Sequence, residues 1–149
     1  MVDHYRVTGG SDLFWSSFTP VSGRRIMVER DQLESLLPLS QPVFHILLAL
    51  ADRQRHGYAI MKAIARATDS RVQVSTGTLY AAIARLLADG LIEESNERPE
   101  DDLDDERRRY YRLTPAGREL ARLESERVAG LTLLARRKKL LAGDGGEGH

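Results

Sequence analysis

The chain has 149 residues, 42% hydrophobic and 30% charged, enough for one modest core with extensions. Its 22 lysines and arginines balance 22 aspartates and glutamates, so bulk charge argues for no nucleic-acid partner and any such argument must come from local patches. Cysteine is absent, which excludes disulfides and thiolate chemistry; no apolar run approaches the roughly 20 residues that span a bilayer, and no basic-then-apolar leader opens the chain, so a cytoplasmic protein without membrane contact is expected.

Residues 1–27 read as an irregular N-terminal arm, punctuated by Gly9, Gly10, Pro20 and Gly23 and carrying the aromatics Phe14, Trp15 and Phe18. From Val28 to Leu37 a short helical pattern places Leu33, Leu36 and Leu37 on one side, and Pro38 ends it. Ser40 is a natural N-cap for a core helix with Val43, Ile46, Leu47 and Leu50 on one face. A polar turn, Asp52 to His56, leads through Gly57 into a second helix with Ile60, Ala63, Ile64 and Ala67 in register. Ser75 caps a third, whose stripe is Leu79, Ala82, Ile83 and Leu86 and which Gly90 closes.

Leu91 to Glu94 and Arg109 to Leu113 then read as two strands around a long polar hairpin. Thr114 followed by Pro115 starts a long helix reaching about Leu141, with Leu120, Leu123, Val128, Leu131 and Leu134 along it. Such a stripe is too long for a small domain to bury alone, so a second copy is expected to cover it. Residues 143–149 are expected to be a disordered tail.

Three helices, a strand, a polar hairpin and a strand form the element order of a winged helix-turn-helix. The expected architecture is mainly α with a small β-wing: a DNA-binding domain over 28–113, including the N-terminal helix, then a C-terminal dimerisation helix over 114–142. The third helix is the reader, because its face opposite the leucines offers Thr76, Gly77, Tyr80, Ala81, Ala84 and Arg85. Small residues there permit close approach to a groove, and Thr76, Thr78, Tyr80 and Arg85 supply donors for phosphates or base edges.

Three separated blocks are more specific: HGYAI at His56 to Ile60, VSTGTLYAAIARLLADGLI at Val74 to Ile92, and RRRYYRLTPAGREL at Arg107 to Leu120. In these the stretch from Leu37 through Leu120 resembles the PadR family of transcriptional regulators. The resemblance implies a homodimeric repressor on a palindromic double-stranded DNA operator, released by a small-molecule effector. It also implies that Tyr58 contacts the DNA backbone, that Ser75, Thr76, Gly77, Thr78, Tyr80 and Arg85 dock the reading helix, and that Arg107, Arg108 and Arg109 hold the wing. The dimer would join the N-terminal helix, through Leu33, Leu36 and Leu37, to the long helix, through Leu120, Leu123, Val128, Leu131 and Leu134.

The hairpin departs from that pattern. Glu97, Glu100, Asp101, Asp102, Asp104, Asp105 and Glu106 are relieved only by Arg98, and phosphate repels such a tip, which leaves Arg107 to Arg109 for backbone contact. The spacing fits no EF-hand loop, and His4, His45 and His149 form no metal-ligand pair, so neither a metal nor another cofactor is expected. Tyr58 and Tyr80 also admit a reading as packed aromatics, and Arg107 to Arg109 as a solvated strand end. No hydrolase elbow or phosphate-cradling glycine loop is present, so the chain is not expected to be an enzyme. A winged-helix module that binds protein without DNA is the open alternative, compatible with the zero net charge and the acidic hairpin.

Overall fold

The computed structural model describes residues 30–96 and 108–142. Its elements are α1 (Arg30–Glu34), α2 (Gln41–Leu50), β1 (Arg55–His56), α3 (Gly57–Ala67), α4 (Thr76–Ala88), β2 (Ile92–Ser95), β3 (Tyr110–Leu113) and α5 (Pro115–Arg137). The N-terminal arm, the acidic hairpin with Arg107 and the tail from Gly143 lie outside the described residues.

Side-chain oxygens fix three of the helix starts by accepting orphan backbone N–H groups. Ser40 accepts from Val43 at 3.4 Å, Ser75 from Thr78 at 3.2 Å and Thr114 from Gly117 at 3.1 Å. The stop of α4 is a left-handed cap: Gly90 has φ 73°, its N–H reaches the Leu87 carbonyl, and the Leu91 N–H reaches that of Leu86 at 2.9 Å. The same device ends α5 at Lys139, φ 62°, with the Leu140 N–H on the Ala135 carbonyl. The long helix therefore stops at Arg137, short of the expected Leu141.

The apolar stripes meet in one core. Ile46, Leu47 and Leu50 of α2, Ile60 and Ile64 of α3, Leu79, Ile83 and Leu86 of α4, Ile92 of β2 and Leu120 of α5 are all buried. Each such side chain contributes about 1.5–3 kcal/mol by leaving water. Where α5 runs past the wing, Gly117 is required: a Cβ on it would lie 1.9 Å from the Leu91 carbonyl oxygen. At the same junction Thr114, itself buried, donates its hydroxyl to the Gly90 carbonyl at 2.7 Å and its N–H to the Leu91 carbonyl at 3.1 Å.

The wing sheet has three strands in the order β1-β3-β2, both pairings antiparallel, with Arg55 opposite Tyr111 and Ile92 opposite Leu113. The first strand replaces the end of the expected polar turn. Two residues carry no periodicity, and β1 exists only because β3 supplies its hydrogen-bonding partner.

The expected dimer contacts divide. Leu33, Leu120 and Leu123 are 1%, 0% and 6% exposed, so they belong to the protomer's own core and offer no surface to a second copy. The reason is that α1 and α2 pack on the first half of α5. Leu37 is half-buried against that core, whereas Leu36, Val128, Leu131 and Leu134 remain exposed. No helix among the described residues is long and apolar enough to cross a membrane. The described residues also contain no group of three histidine or carboxylate side chains placed to hold a metal ion.

Candidate nucleic-acid interface

One face of α4 faces the core and the other is open. Around Leu79, Ile83 and Leu86 on the inside, the exposed positions are Thr76, Gly77, Thr78, Tyr80, Ala81, Ala84, Arg85 and Ala88. Nothing lies within 4 Å of where a Gly77 Cβ would be, so the first turn is bare on that side. Ser75 and Thr78 are tied to each other: the Ser75 hydroxyl donates to Thr78 Oγ1 at 3.0 Å while its oxygen accepts the Thr78 N–H. Their role in this arrangement is to hold the helix start.

Tyr80 is 47% exposed and lies across the start of α3. A Cβ on Gly57 would meet its hydroxyl oxygen at 2.3 Å, so the absence of a side chain at Gly57 is what seats the ring there. Tyr58 beside it is 57% exposed, and the Lys62 ammonium stands 5.3 Å from the centre of its ring.

His56, not among the site residues expected from the sequence, joins these parts. Its Nδ1 accepts the Ala59 N–H at 3.1 Å and so caps α3, its ring meets Tyr110 edge-on at 5.4 Å, and Arg108 Nη1 lies 3.0 Å from its Nε2. The ring thus ties the start of α3 to the wing root, with its Nε2 edge and the Arg108 guanidinium side by side at the same cleft. The signal in the sequence was a histidine immediately before the glycine that opens a helix, a cap position that serine, threonine or aspartate more often fills.

At the wing root Arg109 pairs with Glu94 across the sheet at 3.3 Å and Arg112 with Glu93 at 3.1 Å. The Tyr111 phenol is pushed up from its ordinary value of 10.0 by burial first and by Glu94 second, so it remains a protonated donor at neutral pH. His56, Tyr58, Tyr80, Arg108, Arg109 and Tyr111 border a cleft of about 320 Å³ between α3, α4 and the sheet. The structure thus brings Tyr58, Tyr80, Arg108 and Arg109 to one place. Arg85, in the last turn of α4, stands apart from that cleft, and Arg107 lies outside the described residues.

A helix-turn-helix whose second helix keeps a small, polar face open beside a three-stranded antiparallel sheet is a winged helix-turn-helix, a nucleic-acid-binding class of fold. Residues 46–123 match the model of the PadR-like family of transcriptional regulators, and the chain belongs to that family. Over 74 residues it is 43% identical to the transcriptional regulator Rv3488 of Mycobacterium tuberculosis, a match covering 50% of this chain and 63% of that protein. Over 87 residues it is 41% identical to a 37.1 kDa protein of transposon TN4556 from Streptomyces fradiae, covering 58% of this chain and 23% of that protein. It therefore spans less than two thirds of the length of either relative. A transcriptional regulator from Clostridium thermocellum superposes with a TM-score of 0.54 at 27% identity, over 74% of this chain and 97% of the other. A PadR family regulator from Clostridium difficile R20291 shares the fold, with a TM-score of 0.53 at 24% identity, over 66% and 97%.

Proposed function

We propose that the chain is a homodimeric repressor that places α4 in the major groove of a palindromic operator and leaves it when a small molecule binds. The observation that carries the DNA contact is the open face of α4, bare at Gly77 and flanked by Tyr58, Arg108 and Arg109. In this reading Thr76, Tyr80 and Arg85 face the groove, Ser75 and Thr78 fix the helix start, and Tyr58 with Arg107 to Arg109 holds backbone phosphates. The hydroxyl of Tyr80 and the hydroxyl of Tyr58 act as donors, and the acidic hairpin stays off the duplex.

A second copy covers the distal half of α5. Val128, Leu131, Leu133 and Leu134 are exposed there, and Leu36 adds to the apolar surface near α1. Pairing two protomers sets two reading helices about 34 Å apart, the spacing of successive major grooves, and an effector acts by preferring one spacing over another. Release by a small molecule rests on the family resemblance.

The test is to titrate the full chain into a duplex from upstream of its own coding region and into a scrambled duplex, at two salt concentrations. Tight, salt-sensitive and sequence-selective binding is expected. Weak binding, equal for both duplexes, would overturn the operator reading and favour a winged-helix module that binds protein.

A further inference from the structure

A second donor surface lies beyond the reading helix and the wing root. Tyr58, Lys62 and Arg66 recur every four residues along α3 and so form one stripe, rising about 12 Å along the helix axis. Lys62 and Arg66 are exposed, and neither makes an ion pair among the described residues. With Arg55, His56, Tyr58 and Arg108 they border a cleft of about 290 Å³ whose described lining includes no carboxylate. Arg55 is committed elsewhere, its Nε donating to the Ala49 carbonyl at 2.8 Å and its Nη2 lying 3.4 Å from Asp52, so Lys62 and Arg66 are the cations that α3 adds to this surface beside Arg108.

This cleft shares His56, Tyr58 and Arg108 with the one beside Tyr80, so donor groups continue from α4 across the wing root and along α3. A chain with no net charge that sets Lys62 and Arg66, without ion pairs among the described residues, beside its reading helix has the local patch that bulk composition withholds. The 12 Å rise corresponds to the axial advance of about three phosphates of one DNA strand.

We propose that Lys62 and Arg66 form a backbone-phosphate track that holds the operator beyond the base-reading helix, an inference that rests on the DNA-binding reading above. Because the track touches only phosphates, it adds affinity equally on any sequence and leaves discrimination to α4.

The experiment measures salt dependence of binding for the full-length Lys62→Ala/Arg66→Ala variant on the same operator-region and scrambled duplexes. In the homodimer each protomer loses two phosphate contacts, four per operator, which lowers the slope of log affinity against log salt by about 3.6, at about 0.9 per contact. Affinity falls by the same factor on both duplexes, so their ratio is unchanged. As a control for net charge alone, Arg53→Ala/Arg118→Ala, which replaces two exposed cations outside the proposed DNA and dimer surfaces, keeps the wild-type slope. An unchanged slope in the α3 variant, an equal fall in the control, or a loss confined to the operator would overturn the track. Absence of DNA binding by the wild-type chain removes the operator reading and the track together, and is distinguishable from wild-type binding whose slope the α3 variant preserves. Both replaced residues are exposed, and matching thermal melts of variant and wild type establish that the fold is intact.

Discussion

Helices α4 and α5 each leave surface uncovered, but they divide it along different directions. In α4 the division runs across the axis: leucines and an isoleucine face inward along its whole length, and threonine, glycine, alanine, tyrosine and arginine face outward. In α5 it runs along the axis. Residues up to Glu124 are locked against α1, α2 and the Leu91 carbonyl, while the turns from Val128 onward project leucines into the open. The composition of what is left exposed separates the two roles. A polar, small-residue face suits a hydrated groove lined by donors and acceptors, whereas a run of exposed leucines is stabilised by meeting another apolar surface.

The sharpest way to break this contrast is to charge the distal half of α5. Leu131→Glu/Leu134→Glu leaves the core untouched, so the melting temperature of the isolated protomer is expected to hold. Sedimentation should report a monomer in place of a dimer, and operator affinity should fall on the order of 100-fold, the scale of lost bivalency. A variant that still sediments as a dimer would assign the distal leucines to another partner.

The proximal half answers to a different substitution. Gly117→Ala drives a methyl group into the Leu91 carbonyl, a backbone atom that cannot swing aside, and should cost about 3 kcal/mol of folding stability in a denaturant titration. An unaffected midpoint would show that α5 can slide on the wing. That outcome would also loosen the junction at Thr114, a buried cap hydrogen-bonded to Gly90, Leu91 and Gly117. With this junction clamped, α5 moves with the winged helix, so in the proposed dimer a change in the spacing of two reading helices would arise between protomers or in the distal turns. On α4, Arg85→Ala should lose about 1–3 kcal/mol on the operator and much less on a scrambled duplex if Arg85 reads a base. Equal losses on both duplexes would make it a phosphate contact.

Most of this division was legible in the sequence because helical periodicity reports which face is buried. Ser40, Ser75, Thr114 and Gly90 were readable as caps for the same reason, since local chemistry decides them. Periodicity did not show where along α5 the protomer's own cover ends. Leu120 and Leu131 occupy the same stripe, and only the position of α1 and α2 puts one in the core and the other outside. The convergence of His56, Arg108 and Tyr80 was hidden similarly, because β1 is defined by pairing with residues more than 50 positions away.

The smallest predicted effect concerns a residue that pattern reading passed over. Glu124 falls one position after Leu123 on the inward side of α5, and is 1% exposed. Its carboxylate accepts the Leu39 N–H at 2.8 Å and Arg127 Nε at 2.5 Å, tying the segment between α1 and α2 to the last covered turn of α5. The Arg127 hydrogen bond holds this carboxyl below its ordinary 4.5; burial acts in the opposite direction, and the Leu39 N–H assists the lowering. A carboxyl depressed on folding contributes stability that is fully present above the unfolded value and disappears as pH falls through the folded one. Glu124→Gln keeps an acceptor for Leu39 but loses the charge, so it should be less stable than wild type by about 1 kcal/mol at neutral pH. Thermal melts from pH 7 down past 4.5 should show the two proteins converging in acid. A gap that stays constant across that range would mean that Glu124 fixes the boundary between the covered and open halves of α5 by shape, with its charge contributing nothing.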